Sequence, residues 1–411
     1  LSHSAYAATV QSIEWSNHFF DSTSPQPETR SDSALAVSSD LVYMFGGKES
    51  SYDIAKDDFW KYDRTQAWFT DMHDFFMPYE KPRARYGHCM VTYPSDGGDV
   101  YVLSGRDTTR EETAYLRDFW KYDVAQYEWE SLSPSSGELP VGRTDFAMAV
   151  MGDKLYVYGG MIIEYALQWP EERIFDDFHV YDFLENSWTQ ISFDDMDDHP
   201  YERCEHAMAA WDDKIYIYGG TTQIAGGTPY LDEDLFVHEW DVHDQRMTER
   251  GRAGAPDPRT EHAMVAVNGN LIVFGGVDDF GSIVRDEFAY NIAAEEWIQV
   301  NDVTTGSKPA RSSFGYGAQG CSVFVFYCDQ SESSESCPDG NFMRAEVDAG
   351  CGGEEEGQEP ELDFDTMTSI IIAAVVVLLG LGVGIWCCFN CNCKTAAVAP
   401  TVIKVEGGGG G

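Results

Sequence analysis

Six arginines recur in step along this chain: Arg30, Arg85, Arg143, Arg203, Arg259 and Arg311. A guanidinium is a permanent cation with a planar fork of donors, and its natural counterpart is a carboxylate. Six in register can hold an acidic ligand, or each can pair with carboxylates of the adjacent unit and only support the framework. Three histidines keep the same step, His88, His206 and His262, each three residues after an arginine. Histidines locked to a repeat read as structural rather than as metal ligands. The run DDMDDH, Asp194 to His199, could recruit Ca²⁺ but lacks the spaced ligands of a calcium loop, so it reads as a solvated acidic loop. No distinctive nucleophile or acid–base set stands out.

The elements that carry these residues repeat as well. KLYVYGG, ending at Gly160, has counterparts ending at Gly47, Gly105, Gly220 and Gly276. The doublets begin at positions 46, 104, 159, 219 and 275, so they are spaced by 58, 55, 60 and 56 residues. A fixed period of this size marks a repeat architecture. Each aromatic and β-branched core reads as a short strand, and the glycines supply the positive φ of a tight exit. Downstream comes Asp–x–aromatic–x–Tyr–Asp, as in Asp58 to Asp63, Asp118 to Asp123 and Asp177 to Asp182, with weaker copies at Asp234 to Glu239 and Asp286 to Asn291. Trp68, Trp129, Trp188 and Trp297 follow, six or seven residues after the tyrosine. The fourth unit departs: His238 stands in the tyrosine column, and Met247 stands in for the tryptophan.

Arginine, glycine pair, tyrosine and tryptophan in fixed order resemble the kelch repeat over roughly residues 10–350. The resemblance implies an all-β fold, a β-propeller with one four-stranded blade per repeat. The sixth unit has Arg311, SVFVF (322–326) and NFMRAEVD (341–348) but no tryptophan strand. VQSIEWSN (10–17) supplies one with Trp15, so the expectation is a six-bladed kelch-type propeller closed by an N-terminal strand, which leaves no exposed sheet edge there. Strand order places the six arginines and the loops after each glycine pair on one face. Kelch-type adaptors hold acidic peptides with arginines near this point, so the resemblance offers all six as partner-binding residues. Tyr165 and Trp169, in the apolar stretch 161–173, either pack over the rim or anchor a partner.

Seventy Asp and Glu against 27 Lys and Arg give a net charge of −43, which repels nucleic acid. Residues 367–386 carry no charge over twenty positions, enough to span a bilayer. The expected organisation is an extension (1–9), the propeller (10–350), an acidic stalk (351–366), one transmembrane helix (367–389) and a short cytoplasmic tail (390–411). The stalk side holds seven acids and no base, whereas Lys394 and Lys404 follow the span, so the propeller is expected outside the cell or in a lumen. Gly380 and Gly384 have the spacing of a helix-packing face and suggest a homodimer. Cys321, Cys328, Cys337 and Cys351 are disulfide candidates in that oxidising compartment, with Cys328–Cys337 the preferred pair. Cys89 and Cys204 are expected as buried thiols. Cys387, Cys388, Cys391 and Cys393 follow the span, where S-palmitoylation is favoured over zinc.

The reading that follows is a membrane-anchored propeller that binds a protein or glycan and does not catalyse. It needs no cofactor beyond the Ca²⁺ just considered, and no metal site is assigned. Two alternatives stand beside it. One is a kelch-type enzyme, copper-radical oxidase-like or sugar-modifying. The other is a purely structural surface protein.

Overall fold

The computed structural model describes residues 9–18, 25–28, 30–49, 54–72, 80–95, 97–109, 114–166, 169–193, 199–222, 230–231, 237–300, 314–327 and 341–349. All of them fall in the first of two compact units, Leu1–Cys351; the second is Gly352–Gly411. The expected stalk, transmembrane helix and tail lie outside the described residues. Among the described residues, no helix is long and apolar enough to cross a membrane.

The described chain is built of strands, and six antiparallel sheets of four strands account for most of it. The first is typical. Ala34–Ser38 pairs with Leu41–Phe45, then Phe59–Asp63, then Trp68–Asp71. Its inner strands carry nearly continuous apolar side chains because they are covered on both faces. Each innermost strand packs on those of the units before and after it, and Ala34–Ser38 touches both Cys89–Tyr93 and Gly315–Gln319. The last sheet takes its outer strand from the start of the chain. Ser12–His18 pairs antiparallel with Asn341–Asp348, with Trp15 opposite Ala345. Trp15 is 2% exposed, and its ring meets Phe274 edge-on at 5.3 Å.

The aspartate that ends the third-strand motif has a local task. Asp63, Asp123, Asp182 and Asp241 each accept two backbone N–H bonds from the following turn, at 2.8–3.1 Å. This Asx capping fixes the hairpin. It also fixes register. In units one to five the pairs across the hairpin are Tyr62 with Phe69, Tyr122 with Trp129, Tyr181 with Trp188, Trp240 with Met247 and Tyr290 with Trp297.

Two sequence assignments are corrected by that register. Phe69, not Trp68, occupies the tryptophan column; Phe69 is 4% exposed and Trp68 is 52%. In the fourth unit Trp240, not His238, stands in the tyrosine column, and Met247 does fill the tryptophan position. The stretch 161–173 is not a loop but part of a hairpin, in which Met161–Ala166 pairs with Trp169–Ile174.

Candidate functional site

The five described arginines of the repeat, Arg30, Arg85, Arg143, Arg203 and Arg259, are 0–1% exposed. Each lies within its own unit and is saturated there. Nε donates to a carbonyl two residues upstream. Nη1 donates to the first carbonyl of the glycine doublet at 2.7–3.2 Å, at Gly46, Ser104, Gly159, Gly219 and Gly275. Four of them fork onto the aspartate that opens the third-strand motif: Arg30 on Asp58, Arg85 on Asp118, Arg143 on Asp177 and Arg259 on Asp286. A second donor two residues on holds the same carboxylate, Trp60 at 2.7 Å, Trp120 at 2.8 Å and His179 at 2.8 Å. That is the physical reason for the Asp–x–aromatic spelling. In the fourth unit Arg203 faces His238 Nε2 at 3.3 Å; burial and the Arg203 charge keep that imidazole neutral, so its lone pair can accept.

This geometry corrects the sequence expectation for Arg30, Arg85, Arg143, Arg203 and Arg259. Their guanidinium groups are consumed inside the blades and are not offered to a partner. Nor do the pairs bridge adjacent blades, because arginine and aspartate belong to one unit. Arg311 lies outside the described residues. Tyr165 and Trp169 sit in the hairpin strands, and their side chains lie outside the described set.

The glycine doublets are required by contact as well as by φ. Gly159 and Gly160 have φ of 64° and 94°. A Cβ on Gly159 would fall 2.3 Å from the Arg203 carbonyl of the next unit. Ser104 takes the same conformation in the second unit, φ 57°, and its hydroxyl is bonded to the Leu116 carbonyl at 2.7 Å and to the Arg143 N–H at 2.8 Å.

What the face does offer is a cavity of about 510 Å³ where the innermost strands begin. Its size falls in the usual range for ligand sites. In four units the residue two after the arginine lines it, Asp32, Asp145, Glu205 and Glu261; in the second unit that position is Gly87. All five residues have φ between 53° and 59°. They are strung into a belt by backbone bonds: Gly87 to Asp32, Asp145 to Gly87, Glu205 to Asp145 and Glu261 to Glu205, at 2.8–3.1 Å. The belt turns successive carboxylates toward one space. Gly87 leaves room for its neighbour, since a Cβ there would lie 1.9 Å from Thr144 Oγ1 and 2.8 Å from Asp145 Oδ1.

The electrostatics follow from that crowding. Burial first, then the Glu205 and Asp32 charges, push Asp145 well above the ordinary carboxylate range. Burial and Glu261 likewise raise Glu205, against hydrogen bonds from Thr260 at 2.7 Å and Thr221 at 3.3 Å. Two bases also line the space. Lys48 is 3.1 Å from Asp32 and stands over the Tyr86 ring at 4.5 Å, and Arg106 lies 5.8 Å from both the Tyr86 and Tyr115 rings. His88, His206 and His262 also line the space, each buried and held neutral by desolvation and then by the arginine three residues earlier. They pack edge-on against Phe45, Tyr158 and Tyr218 of the preceding units.

Sequence reasoning read the arginine column and missed the carboxylate column two residues further on. The available signal was Asp32, Asp145, Glu205 and Glu261 at fixed phase. Among the described residues no three His, Cys, Asp or Glu side chains are grouped to hold a metal ion. Asp194 and its acidic neighbours through 198 lie outside them. Cys89 and Cys204 are free thiols, raised by burial. Of the four disulfide candidates Cys321 is described, whereas Cys328, Cys337 and Cys351 are not. The four cysteines at 387–393 also lie outside.

Repeated four-stranded sheets, buried arginine–aspartate clamps and an axial cavity define a kelch β-propeller. Comparison places it more closely. The family described as the KLHDC2/KLHL20/DRC7 Kelch-repeats domain matches residues 32–241 and 170–337, and the chain belongs to the kelch-repeat family. Similar proteins include the N-(sulfonatooxy)prop-2-enimidothioate sulfolyase of Thlaspi arvense, 31% identical over 43% of this chain and 49% of that protein. Kelch domain-containing protein 1 of Mus musculus is 26% identical over 66% and 69% respectively. Kelch-like protein 15 of Homo sapiens is 23% identical over 67% and 43%. The chain thus spans about half the length of the first of these relatives.

Proposed function

We propose that this propeller is a binding module that takes a protein partner, without catalysis, on the face where the innermost strands begin. The observation that carries the reading is the cavity on that face, together with large apolar side chains left exposed in the segments that enter and leave it. Phe280 is 91% exposed in the turn after Gly276, and Tyr201, Val141 and Tyr230 are also exposed. Such residues in water around a recess mark an interaction surface. The sulfolyase relative is the case for an enzyme, but its likeness covers only half of each chain.

The reading has finer parts. The six sheets form a six-bladed ring closed by Ser12–His18. Residues 367–386 anchor the chain in a membrane with the propeller outside or in a lumen, cysteines of the closing blade pair there, and Cys387, Cys388, Cys391 and Cys393 carry palmitate. Protease protection of sealed membranes tests the topology: digestion of the propeller by protease confined to the cytoplasmic side, without permeabilisation, would reject it.

The binding face is tested by crosslinked capture with the full chain in detergent. One variant carries Phe280→Ala and Tyr201→Ala. The control carries Trp68→Ala and Leu184→Ala, exposed residues at the hairpin ends opposite that face. A partner kept by the control and lost by the first variant is the expected result. Equal loss, or equal retention, rejects the face.

A further inference from the structure

We infer that the seam between the first and last sheets is a binding site for a small oxyanion, phosphate or sulfate, held by Arg64 and Arg344 around the Ser322 hydroxyl. The site lies at the hairpin ends, away from the cavity, where Ser38 pairs with Leu41, Asp63 with Trp68 and Gln319 with Ser322.

Two guanidinium groups from different sheets meet there. Arg64 follows the strand Phe59–Asp63 of the first sheet, and Arg344 stands on Asn341–Asp348 of the last. Nη2 of each donates to one oxygen, Ser322 Oγ, at 3.3 Å from Arg64 and 3.2 Å from Arg344. Ser322 is 5% exposed, and its own hydroxyl donates to Glu346 Oε1 at 2.8 Å. Glu346 also pairs with Arg344. Among the described residues Arg64 has no carboxylate of its own. Its guanidinium otherwise meets the Ser39 carbonyl at 2.8 Å and the face of the Phe324 ring at 4.9 Å.

Two positive charges therefore share one paired carboxylate, in a chain with 70 acids and 27 bases. Near a protein surface their repulsion is several-fold stronger than in water. Arg64 registers it: burial first, then the Arg344 charge, lower it against the opposing pull of Asp40 and Glu346. Burial raises Tyr62, and the same two arginines pull against that rise, so its hydroxyl lies in their field. The seam is open to a small ion, since the Arg344 side chain is 36% exposed and Arg64 is half-buried. A tetrahedral oxyanion suits it. Guanidinium forks match oxyanion geometry, and several oxygens can face two forks at once. The ion supplies the missing negative charge and ties the first sheet to the last.

The test is thermal unfolding of the full chain in detergent at pH 7, titrated with potassium phosphate and separately with potassium sulfate. Potassium chloride holds the ionic strength constant. Arg64→Gln removes the charge that has no carboxylate, and Arg117→Gln, from an exposed pair with Glu138, is the control. The expected result is a saturating rise in melting temperature for the native chain and the control. Half-saturation in Arg64→Gln should need at least ~10-fold more ion, as loss of a charge-assisted bond implies. If Arg64→Gln fails to fold, hydrogen exchange of the native chain decides: phosphate should slow exchange in the turns at 39–40, 64–67 and 320–321, and unchanged exchange there overturns the site. No rise, a rise without saturation, or an equal rise in Arg64→Gln also overturns it, leaving only a general salt effect. Methyl phosphate acting as well as inorganic phosphate assigns the oxyanion to a phosphate ester; its failure, with inorganic phosphate active, assigns the free ion.

Discussion

Asp177→Asn removes one charge from the clamp in the third unit and leaves Arg143 buried without its counter-ion. Arg143 is fully buried, and its fork closes on Asp177, with Nη2 at 2.8 Å from Oδ2. Removing one partner of a buried pair costs about 3–5 kcal/mol. For a domain of this size, each kcal/mol moves the melting temperature by roughly 2 °C, so a drop of roughly 6–10 °C is expected. The effect has a pH signature. Burial alone would raise Asp177, but hydrogen bonds from Arg143 and His179 outweigh it and hold the carboxyl well below its usual value. A depressed carboxylate stabilises the fold fully above the unfolded value of about 4, and the contribution is lost as pH falls from there toward the native value. The gap between native chain and variant should therefore be widest near neutrality and shrink below pH ~4. The assay is thermal unfolding followed by tryptophan emission, from pH 7 down to the acid limit of solubility. Glu138→Gln is the control, because its pair with Arg117 is 50% and 89% exposed. An Arg143→Met/Asp177→Leu variant should recover part of the loss, since well-packed apolar replacements of buried pairs are often tolerated. If Asp177→Asn melts with the control, and its gap does not change with pH, the clamp does not hold the blade together.

Trp68→Ala and Phe69→Ala test the corrected register. The buried Phe69 should cost about 3–5 kcal/mol in urea unfolding, and the half-exposed Trp68 far less; the reverse order would reject the assignment. Ser104→Ala keeps the left-handed backbone but takes the acceptor from the buried Arg143 N–H, a loss of about 1–3 kcal/mol read the same way. Glu205→Gln should change the neutral-pH limb of stability. Asp32, Asp145, Glu261, Lys48 and the buried His206 and His262 line the same cavity as Glu205. A carboxyl raised in the native state makes stability fall as pH climbs from about 4 toward the raised value. The amide should flatten that fall, and an unchanged slope in melting temperature against pH would count against it.

Much of the fold was legible. Strand cores, glycine exits and the arginine step are local spellings, and each has a local cause: alternation for a pleated strand, positive φ at the doublet, an aspartate capping the turn. The site was less legible. The arginines look like ligand-binding groups because the sequence does not say where their carboxylates lie. Asp58, Asp118, Asp177 and Asp286 are some 30 residues further on, across an intervening hairpin, and only folding sets the fork against them. The fourth unit misled for a simpler reason. With a histidine and a tryptophan out of step, its spelling allowed a slip of two residues, which preserves the side-chain face and so leaves the hydrophobic pattern unchanged.

The sequence by itself determined the repeat, the four strands of each unit and the strand the first residues lend to the last sheet. Those follow from side-chain type and spacing within a few residues. Tertiary structure alone decided that the arginines face inward and that Asp32, Asp145, Glu205 and Glu261 face one another. Their convergence depends on backbone bonds that run from the first unit to the fifth through Asp32, Gly87, Asp145, Glu205 and Glu261. Such bonds are made by N–H and C=O groups that every residue carries, so no choice of side chain announces them in advance.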